Sequence, residues 1–166
     1  MNSIKSFFSF FFGFKERIGR LHYAIFLPVF AVIYLFIAGF LALIGPKLNY
    51  HITNGTFGSE EDFLGLAIIF AVVALVFVFK YSHIVRRIHD LNKNAKDTNL
   101  FQTVLWIDIL SPFTLLINSD IKLLINLAMT VISISCLITL AFKKGNEGEN
   151  DFGKPQVPFW KKKGNE

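Results

Sequence analysis

The sequence predicts an all-α integral membrane protein, a four-helix bundle with a short interfacial helix at its N-terminus. Three observations carry that expectation. First, 53% of the 166 residues are hydrophobic and the mean hydropathy is +0.50, too apolar for an ordinary soluble domain. Second, four long apolar stretches, at about 23–44, 63–79, 100–117 and 123–142, are almost free of basic residues. Third, the 17 lysines and arginines crowd alternate connecting segments. From the N-terminal segment to the tail the segments between and around the apolar stretches hold 4, 1, 5, 1 and 6 of them. That alternation is the positive-inside pattern of a four-span chain with both ends in the cytoplasm.

The elements follow in order. Residues 1–20 hold a phenylalanine-rich run, Phe7 to Phe14. On a helix, Asn2, Ser6, Ser9, Gly13, Arg17 and Arg20 share one stripe and aromatic rings cover the rest, the pattern of a helix lying on the inner leaflet. The run is short and no small-residue cleavage site follows it, so it reads as retained rather than as a signal peptide. The membrane domain, residues 21–142, opens with Tyr23–Ile44, and Gly45-Pro46 is expected to stop that helix. Asn54-Gly55 and Gly58 mark a turn in the next loop. Glu60, Glu61 and Asp62 stand at the start of the second span, where acidic residues favour the helix dipole. Beyond Phe79 the helix is expected to leave the membrane and end near Asn92-Lys93-Asn94. The third span, Leu100–Ile117, is short and interrupted by Asp108 and Pro112. A loop of five residues, Asn118–Lys122, joins it to the fourth as an antiparallel hairpin. Residues 143–166 read as a polar cytoplasmic tail.

The net charge of +5 is accounted for by cytoplasmic loops facing anionic headgroups, so nucleic acid is not an expected partner. The lone Cys136 excludes an internal disulfide. His22, His51, His83 and His89 lack metal-ligand spacing. No nucleophile–base pair, phosphate loop or dinucleotide fingerprint occurs. The expectation is therefore no enzyme, no cofactor and no metal.

Three segments expected on the cytoplasmic side form a set: Arg17-Ile18-Gly19-Arg20-Leu21-His22-Tyr23, Arg86-Arg87-Ile88-His89-Asp90, and Gly145-Asn146-Glu147-Gly148-Glu149-Asn150-Asp151-Phe152-Gly153. Together they resemble the DUF805 family of small bacterial inner-membrane proteins, over about residues 14–155. The resemblance implies a multi-span inner-membrane protein and implies no activity. The chain departs from the family pattern at Glu16, His22, Ala24 and Asn94-Ala95-Lys96.

Two constellations are candidate sites. The first is a cytoplasmic cluster of Arg17, Arg20, Tyr23, Arg86, Arg87, His89, Asp90, Glu147, Glu149 and Asn150. Its arginines can pair locally with Asp90. Alternatively, the tail folds back and Glu147 or Glu149 meets Arg86 or Arg87, or the arginines hold a lipid or ligand phosphate. The second is an intramembrane polar site of Asp108, Pro112 and Thr130. An ionised carboxylate at mid-span costs about 2.5–3.5 kcal/mol. Asp108 is thus expected to be protonated and bonded to Thr130, Ser133 or Ser111, or else to handle protons or ions, or to lie nearer the surface in a span placed differently. The functional expectation is a non-enzymatic scaffold or regulatory component engaging anionic lipid or a partner protein through its Arg/Asp/Glu face. The alternative is a small oligomeric transporter or channel that uses Asp108.

Overall fold

The computed structural model describes residues 11–56, 58–117 and 121–155. Among these the chain is all-α: α1 (Arg20–Thr53), α2 (Glu60–Asp90), α3 (Asn99–Leu110) and α4 (Ile121–Phe142), with 3₁₀ turns at Ala95–Asp97 and Ser111–Leu116. α1, α2 and α4 are each long and apolar enough to cross a membrane. Leu35, Phe36, Leu43, Phe70 and Leu123 are between 72% and 78% exposed. So much outward-facing apolar surface is unfavourable in water and natural in lipid.

Two compact units divide the chain, residues 26–81 and the pair of segments 1–25 and 82–166. The unit of residues 26–81 is a helical hairpin. α1 does not stop at Pro46: it runs through both Pro28 and Pro46 to Thr53. Each proline removes one backbone donor, and membrane helices tolerate the loss where neighbouring turns hold. The helix ends instead at Asn54-Gly55, where Gly55 takes φ +65° and the Thr56 N–H donates back to His51, a left-handed cap that glycine makes without strain. α2 starts with a capping box: the Asp62 N–H donates to the Ser59 hydroxyl, and the Asp62 carboxylate accepts from the Ser59 N–H. Phe79 packs edge-on against Phe26 and Phe30, and Lys80 lies over the rings of Tyr34 and Tyr81. Ala67, Ala71 and Ala74 of α2 are exposed.

The other unit carries the site. α2 projects well past the apolar stretch and ends at Asp90 on a Schellman turn. The Asn92 N–H donates to the His89 carbonyl and the Lys93 N–H to that of Ile88, with Asn92 at φ +52°. α3 is only 12 residues long, and at Pro112, which has no N–H to donate, the chain tightens into the 3₁₀ turn Ser111–Leu116. The Asp108 carbonyl, deprived of its usual donor by Pro112, accepts from the Ser111 hydroxyl at 3.2 Å. α3 and this turn pack on α4.

The N-terminal segment differs from expectation. The part of the proposed interfacial helix at residues 1–10 lies outside the described residues, and only Phe11 and Phe12 are helical after it. Residues 13–19 are irregular and Arg17 is buried at 3% exposure. The cause is the partner Arg17 finds on α2, described next.

Candidate functional site: a buried arginine–aspartate hub

Ile18 anchors the N-terminal segment on α2. It is fully buried, and its N–H donates to the Arg86 carbonyl at 3.1 Å. This brings Arg17 alongside Asp90. Nε and Nη2 of Arg17 approach Oδ1 of Asp90 at 3.0 and 2.8 Å. The other carboxylate oxygen, Oδ2, accepts from Nη1 of Arg87. One buried carboxylate therefore serves two buried guanidinium groups, each oxygen facing its own arginine.

Both arginines also hold backbone. Nη1 of Arg17 donates to the carbonyls of Gly148, at 2.8 Å, and Gly153, at 3.3 Å, and Nη2 donates to that of Asn146. With the contacts to Asp90, all three nitrogens of the Arg17 guanidinium are engaged. Arg87 donates from Nε to the Leu140 carbonyl at 2.8 Å and from Nη2 to that of Lys143. These are orphan acceptors at the C-terminus of α4, where a cation also meets the negative end of the helix dipole. Burial works against the charge on Arg87 and Asp90 opposes that effect. Arg86 is likewise disfavoured by burial and supported by Glu16, at 3.2 Å.

The tail is folded onto this hub by its glycines and asparagines. The Asn146 N–H donates to the Asp90 carbonyl at 2.7 Å. Gly145 lies so close that a Cβ there would overlap the Asp90 carboxylate, which the two arginines hold in place. Asn150 and Gly153 exchange both backbone hydrogen bonds, with Gly153 at φ +109°. The Asn150 side chain donates to the His89 carbonyl at 2.9 Å and accepts from the Phe152 N–H at 3.0 Å. Phe152 then stacks on the His89 ring at 3.8 Å, with the planes 7° apart. The Asn92 side chain accepts from the Asp151 N–H at 3.3 Å. Burial lowers the His89 pKa, against the opposing hydrogen bonds to the backbone of Glu16 and Lys15.

The sequence-level candidates divide accordingly. Arg17, Arg87, His89, Asp90 and Asn150 come together. Tyr23 is fully buried in the same unit, and Arg20 is exposed. The tail does fold back, but not through its glutamates: Glu147 is exposed and pairs with Lys144, and Glu149 is exposed. Arg86 meets Glu16 and Arg87 meets the local Asp90. The physical reason is geometric. The glycine-rich turn presents carbonyls inward at a distance no glutamate side chain could occupy, and the carboxylates stay in water at no desolvation cost. Sequence reasoning passed over Gly145, Asn146, Gly148, Phe152 and Gly153 as ligands, although a run this rich in Gly and Asn is a signal of special backbone conformation.

At the second constellation, Pro112 stands in the 3₁₀ turn after α3, as described. The Thr130 hydroxyl is exposed and donates to the Asn126 carbonyl in its own helix at 2.8 Å. A polar bond from the 3₁₀ turn to α4 joins Thr114 to Asn126, at 3.0 Å. Among the described residues, no three His, Cys, Asp or Glu side chains are placed to share a metal ion.

All three segments that build the hub fall inside one match. The family model of DUF805, a protein of unknown function, covers residues 11–154. The chain belongs to the DUF805 family. No curated protein and no solved structure matches it. The span shared with DUF805 begins just before the segment carrying Arg17 and ends just after Gly153, so both edges of the hub lie within the family region.

Proposed function

We propose that this DUF805 protein is a non-enzymatic scaffold of the bacterial inner membrane, with four crossings and both termini cytoplasmic. The α3 helix with its 3₁₀ turn supplies the third crossing. Twelve α-helical residues and six 3₁₀ residues rise about 30 Å together, the thickness of the hydrocarbon core. The observation that carries the reading is the burial and internal bonding of the hub. Arg17, Arg87 and Asp90 are buried and bonded to one another and to backbone. Groups so buried and so bonded hold architecture. Contact with partners falls instead to the exposed rim of Lys15, Arg20, Lys93, Lys96, Lys143, Lys144 and Lys154, which suits anionic headgroups of the inner leaflet or an acidic protein surface.

The test is lipid-dependent stability. Titrating phosphatidylglycerol into purified protein in a neutral detergent is expected to raise the thermal midpoint, and phosphatidylcholine is not. Replacing Lys15, Arg20 and Lys144 together by glutamine is expected to abolish the difference. Equal responses to both lipids contradict the reading. The runner-up, a small oligomeric transporter or channel using Asp108, draws support from the Thr114–Asn126 bond, a polar link between the 3₁₀ turn and α4. It requires an oligomer, so a monomer in mild detergent counts against it.

A further inference from the structure

α3, its 3₁₀ turn and α4 enclose a groove of about 750 Å³, within the range of roughly 300–1,000 Å³ typical of ligand sites. The groove is open along one side and its lining changes character along its length. At the α3 N-terminal end the walls are Asn99 and Gln102, both exposed. Deeper in, they are Trp106, Leu110 and Phe113 on one side and Met129 and Ile132 on the other. The Gln102 side chain donates to the Lys96 carbonyl at 2.7 Å, so Lys96, itself exposed, flanks the polar mouth. Lys93 is exposed three residues earlier, with Asp97 the acidic neighbour.

We infer that this groove is a binding site for one acyl chain of an anionic phospholipid, with the headgroup at the mouth beside Asn99, Gln102 and Lys96. Three features select this occupant. The lining is apolar along most of its length, as a hydrocarbon chain requires. The exposed polar side chains, Asn99 and Gln102, stand at one end, as an amphiphile requires, whereas Thr114 at the other end is buried and bonded to Asn126. The cation at the mouth is complementary to a phosphate. Basic residues at the cytoplasmic ends of membrane helices favour anionic headgroups on the same ground. The site lies in α3 and α4, apart from the hub, and the inference rests on the reading that these segments lie in the bilayer.

Trp106 lines the groove and serves as the reporter. In a Trp160→Phe background it is the sole tryptophan of the full chain. The protein is reconstituted in phosphatidylcholine vesicles in which brominated acyl chains, which quench tryptophan, are carried in equal amounts by either phosphatidylglycerol or phosphatidylcholine. Quenching is expected to be stronger with the brominated phosphatidylglycerol, corresponding to about a fivefold preference for the anionic lipid from one lysine near the surface. Lys96→Gln is expected to reduce that preference, and Met129→Phe, which fills the groove, to reduce quenching by both lipids. Equal quenching by the two lipids overturns the inference while leaving the scaffold reading intact. Absence of quenching by either, with crosslinked dimers in the same vesicles, overturns it in favour of a second copy seated on the groove. Absence of quenching with no dimer removes α3 from the bilayer, and the four-crossing reading fails with it.

Discussion

Replacing Asp90 by asparagine keeps the shape of the hub and removes its only negative charge between Arg17 and Arg87. The side chains involved are 2%, 6% and 0% exposed for Arg17, Asp90 and Arg87, so water cannot take over the missing partner. Breaking a buried ion pair by removing one member costs about 3–5 kcal/mol, because the charge left behind is desolvated and uncompensated. Here two cations are left behind by one substitution, and both would leave the tail carbonyls to reach solvent. At about 2–4 °C per kcal/mol for a chain of this size, the thermal midpoint in mild detergent is expected to fall by roughly 6–20 °C. Trypsin gives an independent readout. Lys143, Lys144 and Lys154 flank the folded turn, and cleavage there is expected to accelerate in Asp90→Asn well below the melting temperature. Arg17→Met should give the same phenotype, and combining the two should cost less than the sum, since the partners are coupled. A midpoint within about 1 °C of the parent, with unchanged tail proteolysis, refutes the reasoning, because substitutions away from such features rarely exceed about 0.5 kcal/mol.

Further expectations test neighbouring parts of the same account. Gly145→Ala places a methyl group against the pinned Asp90 carboxylate and is expected to destabilise by about 1–3 kcal/mol, read as a lower midpoint with an exposed tail. Asn150→Ala leaves the His89 carbonyl and the Phe152 N–H without their side-chain partners, a loss of about 1–3 kcal/mol that should appear as faster tail cleavage. Glu147→Gln breaks only an exposed ion pair with Lys144, and no change in midpoint is expected. Likewise, Glu149→Arg is expected not to rescue Arg87→Glu, since Glu149 is exposed and Arg87 is paired with Asp90. Burial lowers the His89 pKa below its ordinary 6.5, so the folded state favours the neutral ring. Its contribution is fully present above the ordinary pKa and is lost as pH falls through the lowered folded value. Tail proteolysis should therefore quicken between about pH 7 and pH 5, the window in which histidine charges, and His89→Gln should flatten that dependence.

Much of the helical architecture was legible because hydrophobic run length and basic-residue placement are strong signals. The second helix continued past Phe79 and ended at Asp90, with Asn92 in the left-handed conformation of the cap that follows. α3 ended just before Pro112, where the chain tightens into a 3₁₀ turn. Pro46 did not stop α1. The helix-stop rule misleads there, because a proline inside a long helix removes one backbone donor and the turns on either side can still hold. The three hub segments were recognisable as a set, and the local Arg87–Asp90 pair was among the expectations. The identity of the remaining bonds was not legible. Charge counting pointed at Glu147 and Glu149, whereas the acceptors are main-chain carbonyls of Asn146, Gly148 and Gly153. Every residue carries a carbonyl, so no side-chain pattern marks which ones will turn inward. The Thr114–Asn126 bond was hidden for a related reason, since its register depends on the 3₁₀ tightening after Pro112 and not on a regular helical rise.

The central claim is that the hub joins segments on one face of a membrane. The most direct measurement is labelling of single cysteines by a membrane-impermeant thiol reagent in intact cells, in a Cys136→Ser background. The positions are Asn54→Cys, Asn94→Cys and Lys154→Cys, none of which contributes a side chain to the hub. The account predicts labelling at position 54 from outside and protection at 94 and 154 until the cells are opened. Outside labelling at 154 with protection at 94 would place the two sides of the hub across the bilayer from each other and contradict the account.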